Sequence, residues 1–283
     1  MSKFFNDIIR VNNPGGPVRI AGFGGLEDVV TTEEQKEART GELEAIQAGS
    51  DARWRTISVP ESVLLPVQFQ GSESLKSAEE AYRVLRTRLL RLCAIRELRS
   101  VIVTSSVQGE GKTLTSLNLA LSCSQLQNTR VLLVDGDIRT GGLTQRLSAK
   151  SEGLADVLSG RCDPGSAVQA TNHPNLFICG CGSSAHPPAE LYAGDEWREF
   201  VESCTKSFDL LLIDAPPALN LSDVELMTAV CDGVLMVVRA SHTRRDVLQK
   251  VSGQIDPKKL LGCVYNFSEV AHHNYYYAAT KER

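Results

Sequence analysis

Ser105-Ser106-Val107-Gln108-Gly109-Glu110-Gly111-Lys112-Thr113 closes the apolar run Val101–Thr104 and opens a helical pattern over residues 112–126. A glycine-rich turn between a buried strand and a helix gathers backbone amides at a helix N-terminus, where an anionic phosphate is held. Gly111 lets the chain close tightly around phosphate oxygens, Lys112 reaches the β- and γ-phosphates, and the Thr113 hydroxyl is a ligand for Mg²⁺. Gln108, Gly109, Glu110 and Leu114 complete the stretch predicted to line the phosphates of ATP. The match to G-x-x-x-x-G-K-[ST] departs at its first position, where Ser106 stands in place of glycine. The strand–loop–helix context gives the match its weight, because that context is what the chemistry requires.

Outward from this loop, short apolar runs alternate with helical patterns. Strands are predicted at Val101–Thr104, Val131–Val134, Leu176–Cys179, Leu210–Ile213, Gly233–Val238 and Leu260–Val264. Helices are predicted from Ser74 to about Leu92, over 112–126, near 142–148 and 153–158, and over 188–206, 222–229 and 243–253. Strands that are apolar throughout and separated by helices imply a mainly parallel sheet covered on both faces. The predicted fold class is α/β, doubly wound, of the P-loop NTPase kind. Composition agrees: 283 residues, 42% hydrophobic and 23% charged, are enough for one large domain with a real core. The formal net charge of −4 gives no field for nucleic acid, and no apolar run approaches the length of a membrane span. The start of the chain has no apolar stretch of signal-peptide type, so a secreted protein is not expected. The eight cysteines lie mostly singly among apolar neighbours and are expected to be reduced core residues.

Two more strand ends carry acid. Val131–Val134 runs into Asp135-Gly136-Asp137-Ile138-Arg139, where residues two apart at a strand end project to one side. Leu210–Ile213 runs into Asp214-Ala215-Pro216-Pro217, and a carboxylate after four buried residues is costly unless paired or metal-bound. The carboxyl ends of strands in a doubly wound sheet form the ligand crevice. Three acidic positions there, beside a Lys-Thr phosphate loop, describe a Mg·ATP site.

The chain divides into three parts. Residues 1–71 read as a flexible N-terminal extension with one helix beginning near Thr32; five of the 22 glycines fall in its first 25 residues. Residues 72–270 form the phosphate-loop domain. Residues 271–283 are a polar tail with Tyr275, Tyr276 and Tyr277 in succession, half of the six tyrosines in the chain. On the first helix of the domain, Glu80, Arg83 and Arg86 recur every three residues along one drifting stripe. By spacing alone this is a solvated face with an ordinary ion pair.

From about residue 72 to the end, the sequence resembles the bacterial tyrosine kinases (BY-kinases) of capsule and exopolysaccharide synthesis. The resemblance rests on Ser106–Thr113 as Walker A, on Val131–Arg139 as the family's second Walker motif with its D-x-D-x-R form, and on Leu211–Pro217 as Walker B. The stretches Gly153–Gly160, Pro187–Leu191 and Asp232–Arg239 are also similar to the family. It implies an ATP- and Mg²⁺-dependent autokinase that transfers the γ-phosphoryl group to tyrosine, chiefly in trans onto Tyr275–Tyr277. Lys112, Asp135, Asp137 and Asp214 would be catalytic. Thr113, Asp137 and Asp214 would organise Mg²⁺. Asp135 is the first candidate for proton acceptor, with an exchange of roles with Asp137 open. Arg139 would orient the aspartate loop or contact phosphate or the incoming tail. Glu80, Arg83 and Arg86 would mediate contacts in a homo-oligomeric ring.

The resemblance also implies a separate transmembrane activator or polysaccharide co-polymerase, a protein-tyrosine phosphatase, and a cytoplasmic chain recruited to the inner face of the membrane. Two rivals stand beside it. A partition- or division-type ATPase switch typically carries a second lysine directly after the first residue of its loop, where this chain has Val107. A catalytically weak ATP-binding scaffold of a polysaccharide exporter is the other. Ser106, Thr140-Gly141 where the family usually has a proline nearby, and a cluster of only three tyrosines keep it in play.

Overall fold

The computed structural model describes residues 8–12, 56–59, 72–149, 152–219 and 222–268. Among these residues nine strands are formed: β1 (Ile8–Asn12), β2 (Thr56–Ile57), β3 (Ser100–Ser105), β4 (Val131–Asp135), β5 (Val168–Thr171), β6 (Leu176–Cys179), β7 (Leu210–Asp214), β8 (Gly233–Arg239) and β9 (Leu260–Ser268). They make one sheet in the order β1-β9-β8-β3-β7-β4-β6-β5-β2, parallel except where β5 meets β6. The doubly wound α/β expectation holds. β1 and β2 add edges drawn from the segment ahead of residue 72, pairing parallel with β9 and β5. The predicted helix near Thr32 and the tail of residues 271–283 lie outside the described residues.

Nine helices accompany the described strands: α1 (Ser72–Arg96), α2 (Lys112–Ser124), α3 (Gly142–Leu147), α4 (Leu154–Leu158), α5 (Pro164–Ala167), α6 (Pro188–Ala193), α7 (Asp195–Ser207), α8 (Ser222–Val230) and α9 (Arg245–Ser252). Every residue of β3, β4 and β7 is buried. The two-residue period of the strands sorts their side chains into two cores. Ile102, Leu132, Val134, Leu211 and Ile213 face Tyr192, Trp197 and Phe200. Val101, Val103, Leu133, Leu210 and Leu212 face Leu85, Leu89 and Leu117. All eight cysteines are free, six of them buried.

Two departures have local causes. The helix expected over 188–206 is two helices, because Gly194 takes an extended conformation (φ −74°, ψ 162°) between them. α5 and β5 were not anticipated from the sequence: four-residue elements with polar Gln169 and Thr171 carry too little periodicity to register.

Helix α1 lies on α2 through Leu85 and Leu89, both essentially buried. Its arginines divide sharply. Arg86 Nη1 donates to the Ser122 carbonyl in the last turn of α2 at 2.7 Å, a favourable place for a cation. Arg83 stays exposed, 3.5 Å from Glu80 and 4.0 Å from Glu79. Arg86→Ala is therefore expected to lower the unfolding free energy by about 1–2 kcal/mol, and Arg83→Ala by less than about 0.5 kcal/mol. Urea denaturation of the two variants checks the contrast.

Candidate active site

Strand register assembles the site. β4 and β7 pair in parallel so that Asp135 stands opposite Asp214, while Val103 of β3 is also level with Asp214. The loop leaving β3 therefore rises beside both carboxylates. Gly109 (φ 84°) and Gly111 (φ 91°) hold left-handed conformations that side chains rarely adopt. At Gly111 space forbids a side chain as well: a Cβ would fall 2.2 Å from Asn266 Nδ2. α2 starts at the next residue, so its first amides converge on the loop.

Lys112 Nζ lies 3.0 Å from Asp137 Oδ2, with both side chains largely withdrawn from water. Ser116, one turn further along α2, donates to the Lys112 carbonyl and to Asp214 Oδ1 (2.9 and 3.1 Å). Asp135 Oδ2 accepts from the Thr144 amide and hydroxyl (2.7 and 2.6 Å), and Oδ1 accepts from the Asp137 amide at 3.3 Å. Asp137 Oδ1 accepts only a long bond, 3.3 Å, from the Thr140 amide. Burial raises the Asp135 carboxyl above the ordinary range, against the bonds from Thr144. Burial also pushes Asp214 up to about 6, countered mainly by nearby Lys112.

The donor set fits a divalent cation. Asp214 Oδ2 is buried and has no hydrogen-bond partner, an arrangement that costs stability unless something else engages the oxygen. Oxygen ligands from a carboxylate and the Thr113 hydroxyl are what Mg²⁺ prefers. Among the described residues, no group of three or more His, Cys, Asp and Glu side chains could hold a metal alone. An ion here would take part of its shell from phosphate and water.

The sequence-derived residues are thus brought together in Lys112, Thr113, Asp135, Asp137 and Asp214. Gln108 is exposed, whereas Glu110 is fully buried beneath the loop. Arg139 forms a two-bond pair with buried Asp223 of α8 (2.7 and 3.1 Å), tying the aspartate loop to α8. Of the stripe on α1, Glu80 and Arg83 face solvent and Arg86 is bonded within its own chain. Tyr275–Tyr277 lie outside the described residues. Sequence reasoning missed Thr144, Asp223, Asn266 and Tyr192, whose hydroxyl donates to the Gly136 carbonyl at 2.6 Å. Only Ser116 carried a signal, lying four residues after Lys112 on the same helix.

A family model described as "AAA domain" matches residues 99–257. Tyrosine-protein kinase YwqD of Bacillus subtilis (strain 168) is 31% identical over 207 residues, spanning 72% of this chain and 87% of its own. The chain belongs to the bacterial tyrosine-protein kinase family. CpsD of Streptococcus pneumoniae serotype 4, also a tyrosine-protein kinase, is 31% identical over 72% of this chain and 90% of its own. The kinase domain of VpsO superposes with a TM-score of 0.62 at 28% identity, covering 70% of this chain and all of that domain. The Escherichia coli tyrosine kinase ETK domain shares the fold, with a TM-score of 0.64 at 24% identity, covering 77% of this chain and 90% of its own.

The raised pKa of Asp214 fixes a sign. An acid with a higher pKa folded than unfolded contributes stability in full below its unfolded value, near 3.8, and loses it as pH rises through about 6. Without metal or nucleotide, stability is expected to fall by up to about 2–3 kcal/mol across that interval from this group. Asp214→Asn should flatten the fall and melt higher than wild type at pH 7 in the presence of a chelator. Thermal unfolding from pH 4 to 7 checks both.

Proposed function

We propose that the chain is an ATP-dependent protein-tyrosine autokinase serving capsule or exopolysaccharide synthesis or export, and that it phosphorylates Tyr275, Tyr276 and Tyr277 in trans. One observation carries the reading: the phosphate-loop lysine is ion-paired to Asp137 of the D-x-D-x-R motif, in a chain of the tyrosine-kinase family. That motif joins the nucleotide loop to acidic groups suited to proton transfer.

Loop amides and Lys112 would bind the β- and γ-phosphates of ATP, with Lys112 exchanging part of its contact with Asp137 for phosphate oxygen. Thr113 and Asp214 would hold Mg²⁺, which when bound neutralises charge on the phosphates. A tyrosine hydroxyl, with an unperturbed pKa of about 10, must lose its proton as it attacks. Asp135 has both oxygens engaged by Thr144 and the Asp137 amide, so taking the proton would break a bond already made. Asp137 keeps an oxygen on one long bond, and we assign it the acceptor role, with Asp135 a positioning carboxylate.

The tail leaves β9 at Ser268, seven residues before Tyr275. That spacing spans at most about 25 Å, enough to present the tyrosines to a neighbouring subunit. A homo-oligomer, in ring form, is the assembly that the exposed Glu80 and Arg83 would serve. Among the described residues no helix is long and apolar enough to cross a membrane. A membrane-embedded activator is the proposed means of peripheral recruitment, and a tyrosine phosphatase the means of reversal.

The test mixes Lys112→Met protein, which has an intact tail, with a catalytically intact variant whose Tyr275, Tyr276 and Tyr277 are all phenylalanine. Incubated with Mg·ATP, with and without a membrane partner, the Lys112→Met tail should acquire phosphotyrosine detectable by mass spectrometry, and neither variant alone should. ATP hydrolysis without phosphotyrosine in any mixture would replace the kinase by an ATPase switch. Binding with neither hydrolysis nor transfer would favour the scaffold.

A further inference from the structure

A glutamate inside an anion-binding loop works against the anion by charge alone. Yet Glu110, immediately before Gly111-Lys112, is fully buried. Its Oε2 accepts the Val107 amide of the same loop at 2.7 Å. Its Oε1 accepts the Arg239 amide at the end of β8 at 3.3 Å and the Thr243 hydroxyl ahead of α9. The carboxylate therefore bridges two segments that the chain order separates by more than a hundred residues.

Other bonds grip the loop from the same side. The Glu110 carbonyl accepts from Asn266 Nδ2 at 3.0 Å, and the Gly109 carbonyl from Arg239 Nη1 at 3.3 Å. The Arg239 guanidinium itself stacks 4.6 Å from the Phe267 ring centroid. Glu110 thus sits between two glycines with left-handed φ, in a loop shape that a free chain would not hold.

We infer that Glu110, through Thr243, is a positioning residue for the phosphate loop: its buried carboxylate fixes the loop against the β8–α9 connection in the shape that receives phosphate. The inference rests on the nucleotide-binding reading above and adds to it the residues that pre-set the loop. A loop released from this strut spends only a fraction of its time in the receptive shape, and apparent affinity falls by that fraction. Because such a loss acts on ground and transition states alike, it raises the KM for ATP and leaves kcat nearly unchanged.

The full chain is titrated with a fluorescent ADP analogue in the presence of Mg²⁺, well below its melting temperature. Glu110→Ala should weaken binding about tenfold. Thr243→Val, which removes only the hydroxyl, should weaken it several-fold, and Thr243→Ser should restore it. Glu110→Ala with Thr243→Val should lose less than the sum of the two single losses, because both changes cut the Glu110–Thr243 bond. In the kinase assay, Thr243→Val should raise the KM for ATP without lowering kcat. Wild-type affinity in Glu110→Ala, or fully additive losses in the pair, would overturn the inference. If Glu110→Ala does not fold, wild-type affinity in Thr243→Val overturns it instead. Absence of nucleotide binding by wild type would overturn the nucleotide reading itself, a result distinct from wild-type binding that survives the Glu110 change.

Discussion

Lys112 Nζ stands 3.0 Å from Asp137 Oδ2 where neither side chain has water to spare, and its charge also acts on buried Asp214. Desolvated carboxylates at Asp135, Asp137 and Asp214 repel one another, and burial raises Asp135 and Asp214 toward their neutral forms. One lysine offsets part of this, while the orphaned Asp214 Oδ2 marks where compensation is incomplete. The site is therefore under electrostatic load, of a sign that a divalent cation relieves.

Hydrogen bonding differentiates the carboxylates that charge alone would leave alike. Thr144 takes one oxygen of Asp135, and the Thr144 hydroxyl also accepts the Cys181 amide at 2.8 Å. Tyr192 holds the Gly136 carbonyl, with its ring edge-on to Trp197 at 5.2 Å. Asp223 holds Arg139. The loop from Asp135 to Arg139 is thus fixed at its beginning, middle and end by side chains from three other elements, leaving Asp137 as the member with a lightly held oxygen.

The parts of this site that were legible in the sequence are those coded locally. Strand, glycine loop and helix follow one another within about two dozen residues, Asp135 and Asp214 each directly end an apolar run, and Asp137 stands two residues beyond the first. Tyr192, Asp223 and Asn266 reach the site only through the order of the strands, which no short-range pattern states, and Thr144, nine residues after Asp135, only through the turn that opens α3. The same limit explains β1 and β2: their partners β9 and β5 lie far along the chain, and a two-residue strand such as Thr56–Ile57 has no period of its own. Gly194 marks the opposite failure, where a local signal was present and the amphipathic pattern on either side of it concealed the break.

The charged stripe on α1 shows how spacing can group residues that packing separates. Glu80, Arg83 and Arg86 are equivalent by threes, but Arg86 is anchored on the Ser122 carbonyl and the other two are left to solvent. α2 begins with Lys112 and ends at Ser124, about 20 Å away along one hydrogen-bonded rod. The residue that would hold phosphate and the carbonyl that holds α1 therefore belong to the same rigid element. Leu85 and Leu89 pack α1 against α2 and Arg86 bonds its last turn, so the helix that carries Glu80 and Arg83 is joined directly to the helix that opens at the phosphate loop.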